Sequence, residues 1–162
     1  MPGILFVCTG NTCRSSMAEG LGKKLAQERG LQVEILSAGV AAWPGAPATW
    51  EAIQAAAELG VDLKDHQARS VAPELVEKAD LILTMEERHK DILLTRFPQI
   101  RGKIFTLKEY ATGQPGDIRD PIGEPLEIYR SCALELKELI GQALEKFKQG
   151  WGQGEGRESK EF

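Results

Sequence analysis

The sequence predicts an α/β fold: a single three-layer domain in which a four-stranded parallel sheet is flanked by helices on both faces. Two observations carry this. Short apolar runs of strand length alternate with longer segments of helical period, and such alternation produces right-handed βαβ crossovers. The 162 residues, 42% hydrophobic and 27% charged, suffice for one domain with its own core.

The elements follow in order. Gly3-Ile-Leu-Phe-Val7 is a continuous apolar run, as in a parallel strand buried on both faces. Met17, Leu21 and Leu25 recur every four residues and predict a helix closed by Gly30. Val33 to Leu36 is a second strand, followed by the loop AGVAAWPGAP. A helix is expected from about Thr49 to Leu59, stopped by Gly60. Asp80 to Thr84 is a third strand, and Glu86 to Arg96 a helix ended by Pro98. Lys103 to Thr106 is a short fourth strand. After a second loop rich in Gly, Pro and Asp, a long helix runs from about Pro125 to Lys148. Its apolar face is Tyr129, Cys132, Leu136, Leu139, Ala143 and Phe147. The domain is thus expected over 1–149. Residues 150–162, glycine-rich and without periodicity, read as a flexible tail, with Trp151 a candidate to dock back on the body.

Lys plus Arg total 20 and Asp plus Glu 24, a net charge of −4 that argues against a nucleic-acid partner. The amino terminus lacks a basic segment, and the apolar run Ile4 to Val7 is too short for a signal peptide or membrane span. A cytoplasmic monomer that does not bind membranes is expected. Three cysteines make a disulfide framework improbable and leave core filling, metal binding or catalysis as their uses.

In parallel α/β sheets ligands bind beyond the carboxyl ends of the strands, so the loop after the first strand is the place to look. It reads Cys8-Thr9-Gly10-Asn11-Thr12-Cys13-Arg14-Ser15-Ser16. Backbone N–H groups of such a loop can curl around an anion, and the following helix points its positive end there. Gly10 is expected to supply the freedom for a tight curl. Arg14, at the helix start, can return its fork over the loop and grip a phosphate. This field is expected to lower the Cys8 thiol pKa. A thiolate below a bound phosphate is an in-line nucleophile, and the same amides and Arg14 stabilise the transition state. Ser15 can donate to the sulfur. No metal or other cofactor is needed, because Arg14 and the amides supply the charge. Three other readings stand beside this one: a buried core thiol, a Cys8–Cys13 metal pair, though with too few ligands, and a Walker-type cradle, though without its Gly-Lys-Ser/Thr ending. A proton donor for the leaving group is also required. Asp120, stiffened by Pro121 in a late loop that can reach the same face, is the candidate, against the plain reading of Asp-Pro as a turn.

CTGNTCRSS after an apolar strand, together with a late Asp-Pro, resembles the low-molecular-weight protein tyrosine phosphatase family from Gly3 to about Phe147. The resemblance implies that Cys8 forms a phosphocysteine, Arg14 clamps the phosphate, and Asp120 acts first as acid and then as base. It implies that Thr9, Gly10, Asn11, Thr12, Cys13 and Ser15 complete the substrate-binding loop, with Asn11 and Ser15 shaping it. His66 resembles the family's supporting histidine beneath the loop. Phosphotyrosine-specific members usually carry a bulky aliphatic residue where Thr12 stands, and tyrosines after Asp-Pro where Ile122 and Gly123 stand. Threonine at position 12 is similar to the bacterial protein-arginine phosphatase subgroup. The implied activity is therefore hydrolysis of phosphoarginine in protein substrates. The alternatives are a phosphotyrosine phosphatase and a phosphate-binding regulatory module without turnover. Ile122 departs from the subgroup's aromatic residue, and Trp43 is a candidate pocket wall in its place, or else core. An arsenate reductase of this fold would need further cysteines on a mobile loop, whereas Cys132 lies on the apolar face of the last helix. Cys13 is positioned to trap an oxidised Cys8 as a disulfide, or else fills the loop.

Overall fold

In the computed structural model, which describes residues 1–152 (backbone only for 151 and 152), β1 (Gly3–Cys8) is buried along its whole length. Parallel neighbours lie on both sides of it. β2 (Glu34–Gly39) pairs from Gly3↔Glu34 to Cys8↔Gly39, and β3 (Leu81–Thr84) from Ile4↔Leu81 to Val7↔Thr84. β4 (Ile104–Thr106) pairs with β3, so the sheet order is β2-β1-β3-β4 with every pairing parallel.

The strand period of two sends alternate β1 side chains to opposite faces. Ile4, Phe6 and Cys8 join a core with residues of α1 (Arg14–Glu28), α2 (Trp50–Glu58) and α6 (Leu126–Gly152). Leu5 and Val7 join a smaller core with Val76 of α3 (Pro73–Lys78), Leu93 of α4 (Glu87–Arg96), Ile82 and Ile104. Helices therefore cover both faces, as expected. The predicted apolar face of α6 is buried at all six positions. Full burial of a side chain the size of Leu136 contributes about 1.5–3 kcal/mol, so this face ties the last helix firmly to α1.

Helix ends match their sequence signals. Gly30 and Gly60 take φ values of +64° and +81° just past α1 and α2, and the Thr49 hydroxyl caps α2 by accepting from the Ala52 N–H. Three short elements were not predicted: α3, a 3-10 turn at Pro98–Lys103, and α5 (Leu107–Thr112), the last in a segment expected to be loop. Each is six residues long, too short for periodicity to show. α5 nevertheless has a capping box between Thr106 and Glu109 and a left-handed Gly113. That Thr-x-x-Glu…Gly pattern is legible in sequence. The last helix continues to Gly152, into the segment read as tail. Residues 153–162 and the Trp151 side chain lie outside the described residues.

Candidate active site

The loop that leaves β1 reverses direction through Asn11, whose φ of +60° is left-handed. This corrects one expectation. Gly10 is not among the positive-φ residues, and a Cβ there would meet Thr12 Oγ1 at an ordinary 3.5 Å. Asparagine tolerates this region because its short polar side chain bonds locally. The glycine that the loop requires is Gly39, at the end of β2. A Cβ there would stand 2.4 Å from the Thr9 carbonyl oxygen and 3.1 Å from the Asn11 nitrogen. Strand register sets this contact, because Gly39 is the partner of Cys8.

Asn11 is buried, and its side chain is engaged on every side. Its Nδ2 donates to Ser15 Oγ and to Ser37 Oγ, both at 2.8 Å, and its Oδ1 accepts from the Arg69 N–H at 2.9 Å. Its carbonyl accepts from His66 Nε2 at 2.6 Å, which places His66 against the loop. The Ser37 hydroxyl donates onward to Glu19 Oε1 at 2.6 Å. Ser15 Oγ, receiving from Asn11, keeps its own hydrogen for Cys8 Sγ, 2.8 Å away. The Asn11 N–H donates to the same sulfur at 3.2 Å. The Asn11 side chain is therefore loop scaffold.

These donors favour an anionic sulfur, but burial counters them. Burial of Cys8, which is 3% exposed, is the largest influence and pushes its thiol up. The Ser15 hydroxyl, the Ser15 and Asn11 amides and Arg14 pull the other way. The net displacement is upward, against the expectation of a lowered thiol. Withdrawing the sulfur from water costs more than these contacts return.

Arg14 opens α1, and its guanidinium is buried. Nη1 donates to the Ile118 carbonyl at 2.6 Å and pairs with Glu86 Oε2 at 2.7 Å, while Nη2 lies 3.5 Å from Asp120 Oδ2. Glu86 is held below the usual carboxylate range. Burial opposes that shift, and Arg14, His89 and Arg88 outweigh it. It is also the N-cap of α4, exchanging bonds with His89 through a capping box. In that exchange His89 Nδ1 accepts from the Glu86 N–H at 3.1 Å. Nε2 must then carry the hydrogen, which it donates to Thr9 Oγ1 at 2.9 Å. Burial, helped by Arg14, lowers the His89 pKa to about 4, so the ring is neutral. Arg88 Nη2 donates to the same Thr9 oxygen at 2.8 Å. Sequence reasoning missed Glu86, Arg88, His89 and Ser37. A signal existed for the first three: they follow the carboxyl end of β3, where this fold places ligands.

Cys8, Thr9, Gly10, Thr12, Cys13, Arg14, Asp120 and Ile122 line one cleft of about 190 Å³. The structure thus brings together the loop, the arginine and the late Asp-Pro that the sequence singled out. Ser15 lies behind the sulfur. Asp120 is anchored by the Ile122 N–H, which donates to Oδ1 at 3.1 Å. Ile122 is largely exposed and lines the same cleft as Thr12. Trp43 is 82% exposed and is absent from the lining, so it is neither core nor pocket wall. The three cysteines are free. Cys13 Sγ lies 3.4 Å from the buried Tyr129 hydroxyl. Cys132 is buried as expected, and that burial pushes its thiol up to about 12. A soft nucleophile below, a guanidinium at the side and a carboxyl above can transfer a phosphoryl group in line and protonate what leaves.

Comparison with known proteins agrees with this geometry. Residues 3–151 match the family described as low molecular weight phosphotyrosine protein phosphatase. The chain is 47% identical over 145 residues to the protein-arginine-phosphatase of Bacillus subtilis (strain 168), covering 90% of this chain and 96% of that one. The YwlE arginine phosphatase from Geobacillus stearothermophilus superposes with a TM-score of 0.87 at 40% identity, covering 94% and 97% of the two chains. A cysteine-to-serine mutant of the YwlE arginine phosphatase with a phosphorylated active site serine superposes at 0.88 with 46% identity, covering 90% and 95%.

Proposed function

The chain belongs to the low molecular weight phosphotyrosine protein phosphatase family, and from that premise we propose that it is a cytoplasmic phosphatase hydrolysing phosphoarginine in proteins. One observation carries the reading. The cleft that holds Cys8, Arg14 and Asp120 is lined by Thr12 at the loop position where phosphotyrosine-specific members usually carry a bulky aliphatic residue. Its relatives named as arginine phosphatases support the substrate class.

In this mechanism the loop amides and Arg14 hold the phosphoryl oxygens. Cys8, its proton given up to solvent, attacks phosphorus as the thiolate; the S–P bond forms as the P–N bond breaks. Asp120, as the carboxylic acid, hands its proton to the departing guanidine nitrogen. Its carboxylate then takes a proton from a water that attacks the phosphocysteine, which releases phosphate and returns the thiolate. Charge on the transferring group is met by donors already in place, where they act most strongly. The Thr12 hydroxyl gives the wall a polar group that suits a planar guanidinium, and Asp120 can pair with its nitrogens before protonating one.

The test is a competition between phosphoarginine and phosphotyrosine peptides. Phosphoarginine should be preferred, and Thr12→Ile should move the ratio toward the aryl ester; an unmoved ratio removes Thr12 as selector. Cys8→Ser should lose turnover by at least about 10⁴-fold while still binding vanadate, which separates a catalyst from a phosphate-binding module. Peroxide should inactivate the parent reversibly through a Cys8–Cys13 disulfide. A Cys13→Ala protein that recovers as the parent does rules that trap out.

A further inference from the structure

We propose that the first turn of α4 is a second anion-recognition point beside the cleft, where Arg88 binds an acidic side chain lying one or two residues from the phosphorylated residue of the substrate polypeptide. The inference rests on the reading of the chain as a protein phosphatase.

Arg88 is fixed from two directions. Nη2 donates to Thr9 Oγ1 at 2.8 Å, and Nε donates to Glu86 Oε1 at 3.1 Å. Thr9 is itself a lining residue of the cleft, so the guanidinium stands one hydrogen bond from the phosphate site. A guanidinium has five N–H donors. Two are spent here among the described residues, and the side chain is 55% exposed. The remaining donors are available to a ligand arriving from solvent.

The charge balance agrees. Glu86 serves two guanidiniums, Arg14 through Oε2 and Arg88 through Oε1, and Arg14 has a second carboxylate in Asp120 at 3.5 Å, whereas Arg88 has Glu86 alone among the described residues. Arg119, in the Asp120 loop, is matched instead by its own carboxylate, Glu124 at 2.9 Å. Arg130, remote on α6, holds both oxygens of Glu58. Arg88 thus shares its carboxylate with Arg14, and its side chain is 55% exposed to an arriving anion. Its ordering is already supplied by Thr9, which His89 holds from the other side, so a carboxylate binding it loses little conformational freedom. Successive Cα atoms are about 3.8 Å apart, which gives an aspartate or glutamate next to the phosphorylated residue the reach required.

The experiment compares kcat/KM for two phosphoarginine peptides that differ only in carrying glutamate or glutamine beside the phosphorylated residue, with the same pair made on phosphotyrosine. The parent should prefer the acidic peptide by roughly twofold to fivefold, the range of an exposed ion pair, and added salt should shrink that ratio. Arg88→Gln should bring the ratio to one, and Arg88→Glu should invert it. The ratio cancels any overall loss of rate from loosening Thr9. A parent ratio of one in both pairs, or a ratio that survives Arg88→Gln, overturns the inference and leaves the phosphatase reading standing. Turnover of the phosphotyrosine pair alone, with the acidic preference intact, overturns the arginine reading and leaves this inference standing.

Discussion

Cys8, Asn11, Arg14 and Ser15 are buried and bonded to one another or to β2 and the loops behind them. Asp120, across the same cleft, is 39% exposed at its side chain and is held by the Ile122 amide and a 3.5 Å approach to Arg14. The Asp120 loop is tied at its root, where Asp117 Oδ1 accepts from the Glu87 N–H and Ile118 bonds Met85 and Arg14. Its tip, with Gly123 at φ +77°, is open. The difference follows from the two tasks. Stabilising developing charge works only if the donors need not move. Delivering a proton, and later taking one from water, requires a carboxyl that solvent and leaving group can both reach.

Breaking the exposed side should therefore cost rate without stability. Asp120→Asn should lower turnover by about 10²–10⁴-fold, while its unfolding free energy changes by less than about 0.5 kcal/mol. A matching stability loss would show that the tip is structural and erase the contrast. Breaking the buried side should cost both at once. Gly39→Ala drives a methyl onto the Thr9 carbonyl from behind. It should destabilise by about 1–3 kcal/mol and lower kcat/KM on the order of 10²-fold through misplacement of the loop. Full activity in that variant would mean that the curl is not pinned by β2.

The smallest effect sharpens the comparison by pH. His89 belongs to the buried side, and its folded pKa is lowered from 6.5 to about 4. Above pH 6.5 the ring is neutral whether the chain is folded or unfolded, so its titration leaves stability unchanged. As pH falls from about 6.5 toward 4, the unfolded chain takes up a proton that the folded one refuses, and stability declines by at most about 1.4 kcal/mol per pH unit. Urea unfolding at pH 7, 6 and 5 should show this decline in the parent and a shallower one in His89→Gln. Parallel declines would place the titration elsewhere.

What the chain alone discloses follows the same division. β1, α1 and α6 were legible because a buried parallel strand is a continuous apolar run and a long helix repeats its apolar positions. Cys8 and Arg14 were legible because they share one local segment, and Asp120 because proline marks it. Illegible were the partners that tertiary contact recruits. Ile118 reaches Arg14 across 104 residues of sequence, and Ser37 reaches Asn11 across 26. Gly39 matters only through its register with Cys8. Neither spacing nor composition encodes such meetings. The same gap explains the thiol: proximity to Arg14 could be read from sequence, but the depth of the sulfur could not.

Asn11 answers two unrelated demands with a single side chain: a backbone turned to φ +60°, and two donors and one acceptor at fixed points. Glycine would satisfy the turn and leave Ser15, Ser37 and Arg69 without their mate; aspartate would offer lone pairs where hydrogens are wanted. No one-step replacement meets both requirements. Position 11 is consequently a mutational dead end, from which the lineage can depart only by rebuilding its neighbours in the same stroke.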